Sequence, residues 1–459
     1  MAESHDAPRV EELERLATQV VDRALDRGVD VAEAMARSGS ELSTRVRLGE
    51  PELVEEAAHR GIGLRVMKEQ RVALLSTSDL TDAGLRRFID DAVELVEVAQ
   101  VDPWAGPADP SELADPVPEP DGLFDPAVDG VDADMALSWA KRAEAAAREA
   151  DARITNSDGA TFGRTSGAFA MVLSNGFRGG YETSYASLVV TPVADDEDHK
   201  KRRGSHWTAR RHLDALDEPE AVGREAARRT VRLLGAKKVP SCEAAVVFDP
   251  DAGRAMLGLL GGCIMGSAIW REQSYLRERI GSEVASPLVT VVDDPFLPRA
   301  PGSRPFDGEG RASRRNVVVE DGVLQTYLCD GYSARKLDRA PTASARRGGG
   351  GGVGPGTSNF VLQPRDTPAD DIIASTERGL LVVQMMGFGF NAVTGDFSRG
   401  ASGFWIEDGQ IVHPVSEVTI SLNLDDLWRR VDAVGDDLDL RTATATPTFR
   451  VSRMTIAGS

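Results

Sequence analysis

The 459-residue sequence contains few cysteines and histidines, and they do not form the usual metal-binding or redox motifs. Its three cysteines, Cys242, Cys263 and Cys329, include no C-x-x-C pair, which argues against a disulfide framework or a structural zinc site. No two of its six histidines have the H-E-x-x-H spacing that grips zinc in many peptidases. The pattern predicts reduced thiols in a cytosolic protein.

Long apolar runs and an excess of positive charge are also missing. No stretch of about eighteen uncharged apolar residues occurs, and the opening string MAESHDAPRVEELERLATQVV is acidic and helical in pattern, so we expect a soluble cytoplasmic protein. Lys plus Arg number 53 against 73 Asp plus Glu, and the resulting net charge of -20 disfavours nucleic acid and anionic membranes as partners. The 41% hydrophobic and 27% charged composition is that of a globular protein with two or three domains.

Hydrophobic periodicity predicts an α+β fold, with an N-terminal α/β region of mixed strands and helices followed by a β-rich C-terminal domain. Helical spacing of apolar residues predicts a first helix over 9–27. Two alternating segments that meet near 68–71 predict a hairpin, and a helix is expected to begin around Thr81. Further helices are predicted over 133–150 and 218–234.

Changes in composition divide the chain into four predicted segments. They are an N-terminal α/β unit (1–100), a Pro/Asp-rich linker (101–132), a central α/β segment (133–240) and a β-rich C-terminal domain (241–459). The linker is expected to be an exposed connection without an element of its own. In the last segment, AAVVFDP predicts a buried strand before a helix over 254–260, while NVVVEDGVLQTYL and GFWIEDGQIVHPV predict hairpins with Asp-Gly turns.

Several candidate catalytic groups lack the partners that their chemistry requires. His199, His206 and His212 are seven and six residues apart, which does not fit one helical face and allows a shared metal only across a bend. Ser333 and Lys336 match the S-x-x-K pattern of serine acyl-enzymes, but S-D-N and K-T-G do not occur elsewhere. The string RRGGGGGVGPGTS lacks the ending of a phosphate loop and predicts a flexible loop.

The string LLGGCIMGSAIWREQSYLRER, residues 259–279, has the pattern of an amphipathic helix but contains no histidine. Its one candidate nucleophile is Cys263, and the only histidine beyond residue 240 is His413, in a predicted strand. No spacing signature links the two residues, so we interpret Cys263 as a small apolar side chain in a Gly-rich turn.

Four longer strings occur in order along nearly the whole chain. They are GIGLRVMKEQRVALLSTSDLT, SAIWREQSYLRERIGSEV, LVTVVDDPFLPRAPGSRPFDGEGRASRRNVVVEDGVLQTYLCDGYSARKL and VTGDFSRGASGFWIEDGQIVHPVSEVTISLNLDDLW. Together they resemble the TldD/PmbA family, on its PmbA (TldE) side. The resemblance implies a peptide-processing assembly of two related subunits, in which the TldD-type subunit carries an H-E-x-x-x-H metal motif and the TldE-type subunit does not.

On this resemblance, MLGLLGGCIMGSAIW stands where a TldD-like chain has its metal motif. A lone thiol cannot replace two imidazoles and a glutamate, so the resemblance implies no catalytic and no metal-binding residue in this chain. The segment would be a structural pseudo-active site, in which the glycines permit close packing. Its residues are Gly258, Gly261, Gly262, Cys263 and Gly266.

The resulting hypothesis is a TldE-like, non-catalytic subunit of a cytoplasmic zinc metalloprotease complex that cleaves peptides or unfolded segments. This chain would hold no cofactor, would complete the substrate chamber and would offer strand edges to a peptide, while a TldD-like partner supplies zinc. A homodimer of the isolated chain stays open. Two alternatives also stay open: a stand-alone metallopeptidase that uses His199, His206 and His212, and a peptide-binding scaffold. The resemblance assigns no role to 346–352, where the family pattern is interrupted.

Overall fold

The computed structural model describes residues 10–458, except the side chain of Asp198. Within these residues the chain has the predicted α+β fold, in which an N-terminal sheet covered by helices precedes a strand-rich C-terminal region. None of the described helices combines the length and apolar character needed to cross a membrane.

A seven-stranded antiparallel sheet forms the framework of the N-terminal half. Its strands are β1 (Val31–Arg47), β2 (Glu50–Lys68), β3 (Arg71–Thr77), β4 (Ile154–Leu173), β5 (Arg178–Asp195), β6 (Lys201–Arg203) and β7 (His206–Arg210). They lie in the order β3-β2-β1-β4-β5-β6, and β7 also pairs with β5. The predicted hairpin near 68–71 is confirmed, because Glu69 and Gln70 both have the positive φ of a tight two-residue turn.

Five helices accompany this sheet: α1 (Val10–Asp26), α2 (Asp82–Val98), α3 (Pro126–Asp129), α4 (Ala133–Glu149) and α5 (Pro219–Val231). The helices predicted over 9–27, 133–150 and 218–234 are confirmed, although Arg9 itself lies outside the described residues. The start of α2 is also as predicted, because the Thr81 hydroxyl accepts a hydrogen bond from a backbone amide of the first turn at 3.1 Å.

The four long helices lie on one face of the sheet. In β1, the even-numbered residues Ala34 and Ala36 pack with α1 and α2, and Leu42 and Val46 pack with α4 and α5. Side chains alternate across a strand, so the odd-numbered residues of β1 point to the opposite face. That helix-free face is covered by the C-terminal region, which contacts it through an ion pair between Glu33 and Arg347.

Residues 1–100 and 133–240, which were predicted as separate segments, contribute strands to the same sheet. The join is the pairing of β1 with β4, which extends along most of both strands. Pairing of strands this far apart in the chain leaves no local signal in the sequence.

The predicted linker 101–132 is more ordered than its composition indicates. It contains α3, and Val128 and Val131 are buried in the core that α4 forms with the sheet. The amide of Ala114 donates a hydrogen bond to the carbonyl of Gly310 at 2.9 Å. The prediction of a connection without elements is therefore wrong, because neighbouring parts of the fold supply the apolar surface that this segment lacks.

The C-terminal region is rich in strands, as predicted. Its strands are β8 (Cys242–Phe248), β9 (Val291–Asp293), β10 (Asn316–Glu320), β11 (Val323–Leu324), β12 (Ala345–Arg347), β13 (Val353–Pro355), β14 (Phe360–Leu362), β15 (Arg378–Met386), β16 (Asp396–Glu407), β17 (Gln410–Asn423), β18 (Val431–Val434), β19 (Thr444–Ala445) and β20 (Phe449–Ala457). Its helices are α6 (Pro250–Cys263), α7 (Gly266–Trp270), α8 (Gly331–Lys336), α9 (Ala369–Ala374) and α10 (Leu424–Arg429).

These strands form two sheets and a hairpin. The order β17-β16-β15-β8-β20-β18 closes on itself because β17 also pairs with β20, and a second sheet has the order β11-β10-β9-β14-β19. The strand at AAVVFDP and the helix over 254–260 are confirmed as β8 and α6. Both predicted Asp-Gly hairpins are confirmed, with positive φ at Asp321 and Gly322 between β10 and β11 and at Asp408 and Gly409 between β16 and β17.

Candidate functional site

The segment interpreted as a pseudo-active site consists of two helices that meet at a turn. Helix α6 begins after Asp249, whose side chain accepts a hydrogen bond from an amide of the first turn at 2.7 Å. It ends at Cys263, whose carbonyl accepts a hydrogen bond from the Ser274 hydroxyl at 2.6 Å. Helix α7 then starts at Gly266. The single amphipathic helix predicted over 259–279 is therefore wrong beyond Cys263, because Ser274 binds a carbonyl that a continuing helix would use.

Two glycines of this segment do permit close packing. A Cβ atom added to Gly266 would lie 2.7 Å from the Cys329 sulfur and 2.8 Å from the Ser333 Cβ. A Cβ atom added to Gly261 would lie 3.3 Å from the ring of Phe360. Glycine at these positions lets α6 and α7 approach their neighbours.

The other two glycines do not pack closely. Gly258 and Gly262 are exposed, and a Cβ atom added to either would meet no atom within 4 Å. The prediction of close packing is wrong for both, because their spacing of four residues places them together on the outer face of α6.

Cys263 is a buried, unreactive thiol. Its residue is only 1% exposed, and burial raises the pKa of the thiol to about 12, against a smaller opposing effect of Ser274. His413 lies on β17, where its Nδ1 is 3.1 Å from the carbonyl oxygen of Pro414. No hydrogen bond joins Cys263 to His413 in the described structure, so a protonated thiol without a base is left to pack as an apolar group.

The S-x-x-K pair does not form a nucleophile with a base. Ser333 and Lys336 both belong to α8, and the Lys336 ammonium lies 5.2 Å from the ring centres of Trp104 and Trp270 and 5.6 Å from that of Tyr332. Aromatic faces attract a cation at this range, so the ammonium is held among the rings. Within residues 10–458, no hydrogen bond links the two side chains.

A cavity of about 320 Å³ lies between the helix-free face of the N-terminal sheet and the C-terminal region. Its floor carries little side-chain bulk, because Gly167 on β4 lies opposite Gly39 on β1. Phe169, Tyr181 and Phe306 line the cavity, and the ring centres of Phe169 and Tyr181 are 4.3 Å apart. The cavity therefore has an open backbone floor and an aromatic wall.

Four arginines line the same cavity: Arg37 from β1, Arg304 from the chain between β9 and β10, and Arg346 and Arg347 from β12. Arg304 is only 3% exposed, and its Nε has no hydrogen-bond partner among the described residues. Burial, together with Arg346, lowers the pKa of Arg304 to about 10. No sequence motif predicted a site at Arg37 or Arg304, and Arg346 was named only as part of the segment that interrupts the family pattern.

The segment 346–352, predicted as part of a flexible loop, forms the tip of the β12–β13 hairpin and packs on the N-terminal sheet. Arg347 and Arg65 donate hydrogen bonds to one carboxylate oxygen of Glu33 at 2.6 and 3.0 Å. Burial alone would raise the pKa of Glu33, but the two guanidinium groups hold it below its ordinary value. A Cβ atom added to Gly63 would lie 2.7 Å from the backbone of the hairpin tip, so the flexible-loop prediction is wrong because the tip contacts β2.

Three consecutive family domains match this chain: PmbA/TldA metallopeptidase domain 1 at residues 32–96, the central domain at 126–234 and the C-terminal domain at 241–458. Metalloprotease PmbA of Escherichia coli O157:H7 is 34% identical over 453 residues, which cover 98% of both chains. The chain belongs to the PmbA/TldD family.

Other known proteins share the fold of this chain or part of its sequence. A Bacteroides thetaiotaomicron protein described as a candidate modulator of DNA gyrase superposes with a TM-score of 0.91 at 29% identity, over 98% of this chain and 99% of that one. TldE from Thermococcus kodakarensis gives a TM-score of 0.86 at 22% identity, over 96% and 100% of the two chains, which shows the same fold. The TldD homologue of Haemophilus influenzae is 28% identical over 259 residues, 54% of each chain.

The metal implied by the PmbA/TldD family name has no matching ligand set in this chain. Among residues 10–458, no group of three or more His, Cys, Asp or Glu side chains could hold a metal ion. From Gly261 to Gly266 the only candidate ligand is the buried thiol of Cys263. Zinc needs three or four nitrogen, sulfur or oxygen ligands, so these residues do not fit it and no catalytic step through a metal follows for this chain.

The three histidines of the alternative site also lie in separate environments. His199 is exposed in a short turn, and His206 begins β7, where burial lowers the pKa of its imidazole to about 4. His212 lies with its Nε2 3.1 Å from the carbonyl oxygen of Gly122. In the described structure, His199, His206 and His212 therefore do not assemble into a metal site.

Proposed function

We propose that this chain is the non-catalytic, TldE-like subunit of a zinc metalloprotease complex that acts on peptides, with zinc held by a TldD-like partner. The observation that carries the proposal is the chemistry of Gly261 to Gly266, where glycines and the buried, protonated thiol of Cys263 stand in place of metal ligands. Such a segment cannot generate a metal-activated water, so the role left to this chain is to shape the substrate chamber.

The long strand β2 supports a role in holding an extended peptide. Strand β3 pairs with β2 only from Ile62 to Lys68, so residues 50–61 have one edge to which no described strand is paired. Leu53 and Val54 on this stretch are exposed. An extended peptide can add to such an edge through main-chain hydrogen bonds that accept many sequences.

A cytoplasmic location is part of the same proposal. Cys242, Cys263 and Cys329 are all free thiols, which suits a reducing compartment. The same compartment would have to contain the TldD-like partner.

The decisive experiment measures metal content and peptidase activity for this chain, for a TldD-like chain from the same genome, and for their mixture. We expect no stoichiometric zinc and no cleavage from this chain alone. The mixture should cleave unfolded casein, and replacing the first histidine of the partner's H-E-x-x-x-H motif by Ala should abolish that cleavage.

Two results would contradict the proposal. About one tightly held zinc per isolated chain, lost in His206→Ala or His212→Ala, would support the stand-alone peptidase instead. A mixture that neither co-elutes nor gains activity would remove the complex and favour a peptide-binding scaffold.

A further inference from the structure

We propose that the arginine-lined cavity binds the C-terminal carboxylate of a peptide whose last residue is apolar. The inference rests on the proposed function, since it names the part of the substrate that this subunit holds. The charges and aromatic rings that line the cavity support the inference.

The cavity concentrates positive charge in a chain whose net charge is -20. Within residues 10–458, no carboxylate oxygen lies within 4.0 Å of a guanidinium nitrogen of Arg37, Arg304 or Arg346. The fourth arginine of the lining, Arg347, is paired with Glu33. Three guanidinium groups around one space repel each other unless a negative charge lies between them, so an anionic ligand is the natural occupant.

The acid within the lining is already engaged. Asp307 is buried, and its carboxylate accepts hydrogen bonds from the backbone amides of Glu309 at 2.9 Å, Arg311 at 3.0 Å and Ala345 at 3.2 Å. These bonds hold Asp307 against the backbone. Asp293 and Asp307 both attract Arg304 electrostatically, but neither forms an ion pair with it, so its guanidinium keeps donors for a ligand from outside the chain.

Arg304 sets the depth at which that ligand binds. It is buried and its Nε has no partner in the described structure, whereas Arg37 and Arg346 are exposed and so lie at the mouth. A buried donor without an acceptor is costly, and a carboxylate can accept two parallel hydrogen bonds from one planar guanidinium. The pKa of Arg304, about 10 because of burial and Arg346, still leaves it charged at neutral pH.

The aromatic wall selects an apolar group beside the carboxylate. Phe169, Tyr181 and Phe306 are mutually in contact, with ring centres 4.3 to 6.0 Å apart. An apolar side chain fills such a wall, while inorganic phosphate leaves it empty. At about 320 Å³ the cavity is at the small end of the range for ligand pockets, roughly 300–1,000 Å³, which suits one end residue better than a length of chain.

The cavity also adjoins the strand edge available to an extended peptide. His59 lines its mouth and belongs to the stretch of β2, residues 50–61, whose edge is free. A peptide paired with this edge can therefore reach the cavity with its last residue.

Calorimetric titration of the isolated full-length chain tests the proposal. The probes are acetyl-Ala-Ala-Phe with a free carboxylate, the same peptide as its C-terminal amide, and inorganic phosphate. We expect the free acid to bind about tenfold or more tightly than the amide, because the amide loses the charge-assisted hydrogen bonds. Arg304→Met and Arg346→Gln should each weaken the acid by about tenfold, and Arg86→Met, an exposed arginine on α2 on the other side of the sheet, should leave it unchanged.

Equal binding of acid and amide, or an Arg346→Gln variant with unchanged affinity, would overturn the proposal. Phosphate that binds where the peptide does not would also overturn it, and an amidated peptide ending in Glu that binds as tightly as the free acid would remove the C-terminal assignment. Arg346 is exposed on the hairpin, so its variant keeps the test informative if Arg304→Met fails to fold. No partner and no cleavage are involved, so failure here is distinct from failure of the proposed complex.

Discussion

The packing of the pseudo-active segment predicts opposite effects for two alanine substitutions four residues apart. Gly266→Ala places a methyl group 2.7 Å from the Cys329 sulfur and 2.8 Å from the Ser333 Cβ, both of which are buried. Neither neighbour can swing aside as the end of a flexible side chain would. Overpacking of this kind typically costs about 1–3 kcal/mol, so the free energy of unfolding should fall by that amount.

Gly262→Ala is the matched control. Its methyl group meets nothing within 4 Å, and Gly262 is the second-last residue of helix α6. Replacing an exposed glycine by alanine stabilises a helix interior by about 0.5–1 kcal/mol and less in the last turn, so this variant should be as stable as the parent chain or slightly more stable.

Equilibrium urea unfolding, followed by fluorescence and circular dichroism, measures both variants. Trp270 belongs to α7 and stacks edge-on with Tyr332 at 5.7 Å between ring centres, so it contributes a local signal close to Gly266. A Gly266→Ala chain as stable as the parent, or a Gly262→Ala chain that is the weaker of the two, would refute this account of the packing.

Three further predictions concern the ion pair on the sheet, a buried imidazole and the thiol. Glu33→Gln leaves Arg347 and Arg65 without their shared counter-charge, so urea unfolding at pH 7 should show a loss of about 3–5 kcal/mol, and a loss under about 1 kcal/mol would contradict this. Because the folded pKa of Glu33 lies below its ordinary value, the parent chain should also lose stability as the pH falls below the ordinary carboxylate range and through that lowered pKa. Burial lowers the pKa of His206 from 6.5 to about 4, so between these pH values the folded state binds fewer protons than the unfolded state, and stability should fall as the pH drops. His206→Gln should flatten this part of a profile of melting temperature against pH. An unchanged profile would contradict the prediction. Cys263→Ser should leave cleavage by the reconstituted complex nearly intact, because the parent thiol is protonated and has no base. Loss of cleavage in a folded Cys263→Ser chain would instead require a thiol mechanism.

Local signals in the sequence were enough to predict most elements of secondary structure. The first helix follows from apolar residues at helical spacing, and Thr81 marks the start of α2 because its hydroxyl caps the first turn. The Asp-Gly pairs at Asp321 and Asp408 mark two hairpins because tight turns need positive φ. These rules involve residues within a few positions of each other, so one sequence is sufficient to apply them.

The candidate site was only partly predictable, because local rules do not say which distant residues come into contact. The lack of metal ligands around Cys263 is a matter of residue type and was evident from the sequence, together with the resemblance to the PmbA/TldD family. The sequence did not show which glycines of that segment pack closely. Gly262 lies next to the end of α6 and Gly266 at the start of α7, and only the position of Cys329 against α7 separates a filled contact from open space.

The arginine-lined cavity was decided entirely by tertiary structure. Arg37, Arg304 and Arg346 come from distant parts of the chain, and they meet because β12 packs on the helix-free face of the sheet beside Glu33. An arginine in a sequence predicts an exposed, solvated charge, since burial without a counter-charge is unfavourable. The sequence alone determined most of the secondary-structure elements, the family resemblance and the residue types around Cys263. The burial of Arg304 without an ion-pair partner depends on contacts between residues far apart in the chain, which no local pattern encodes.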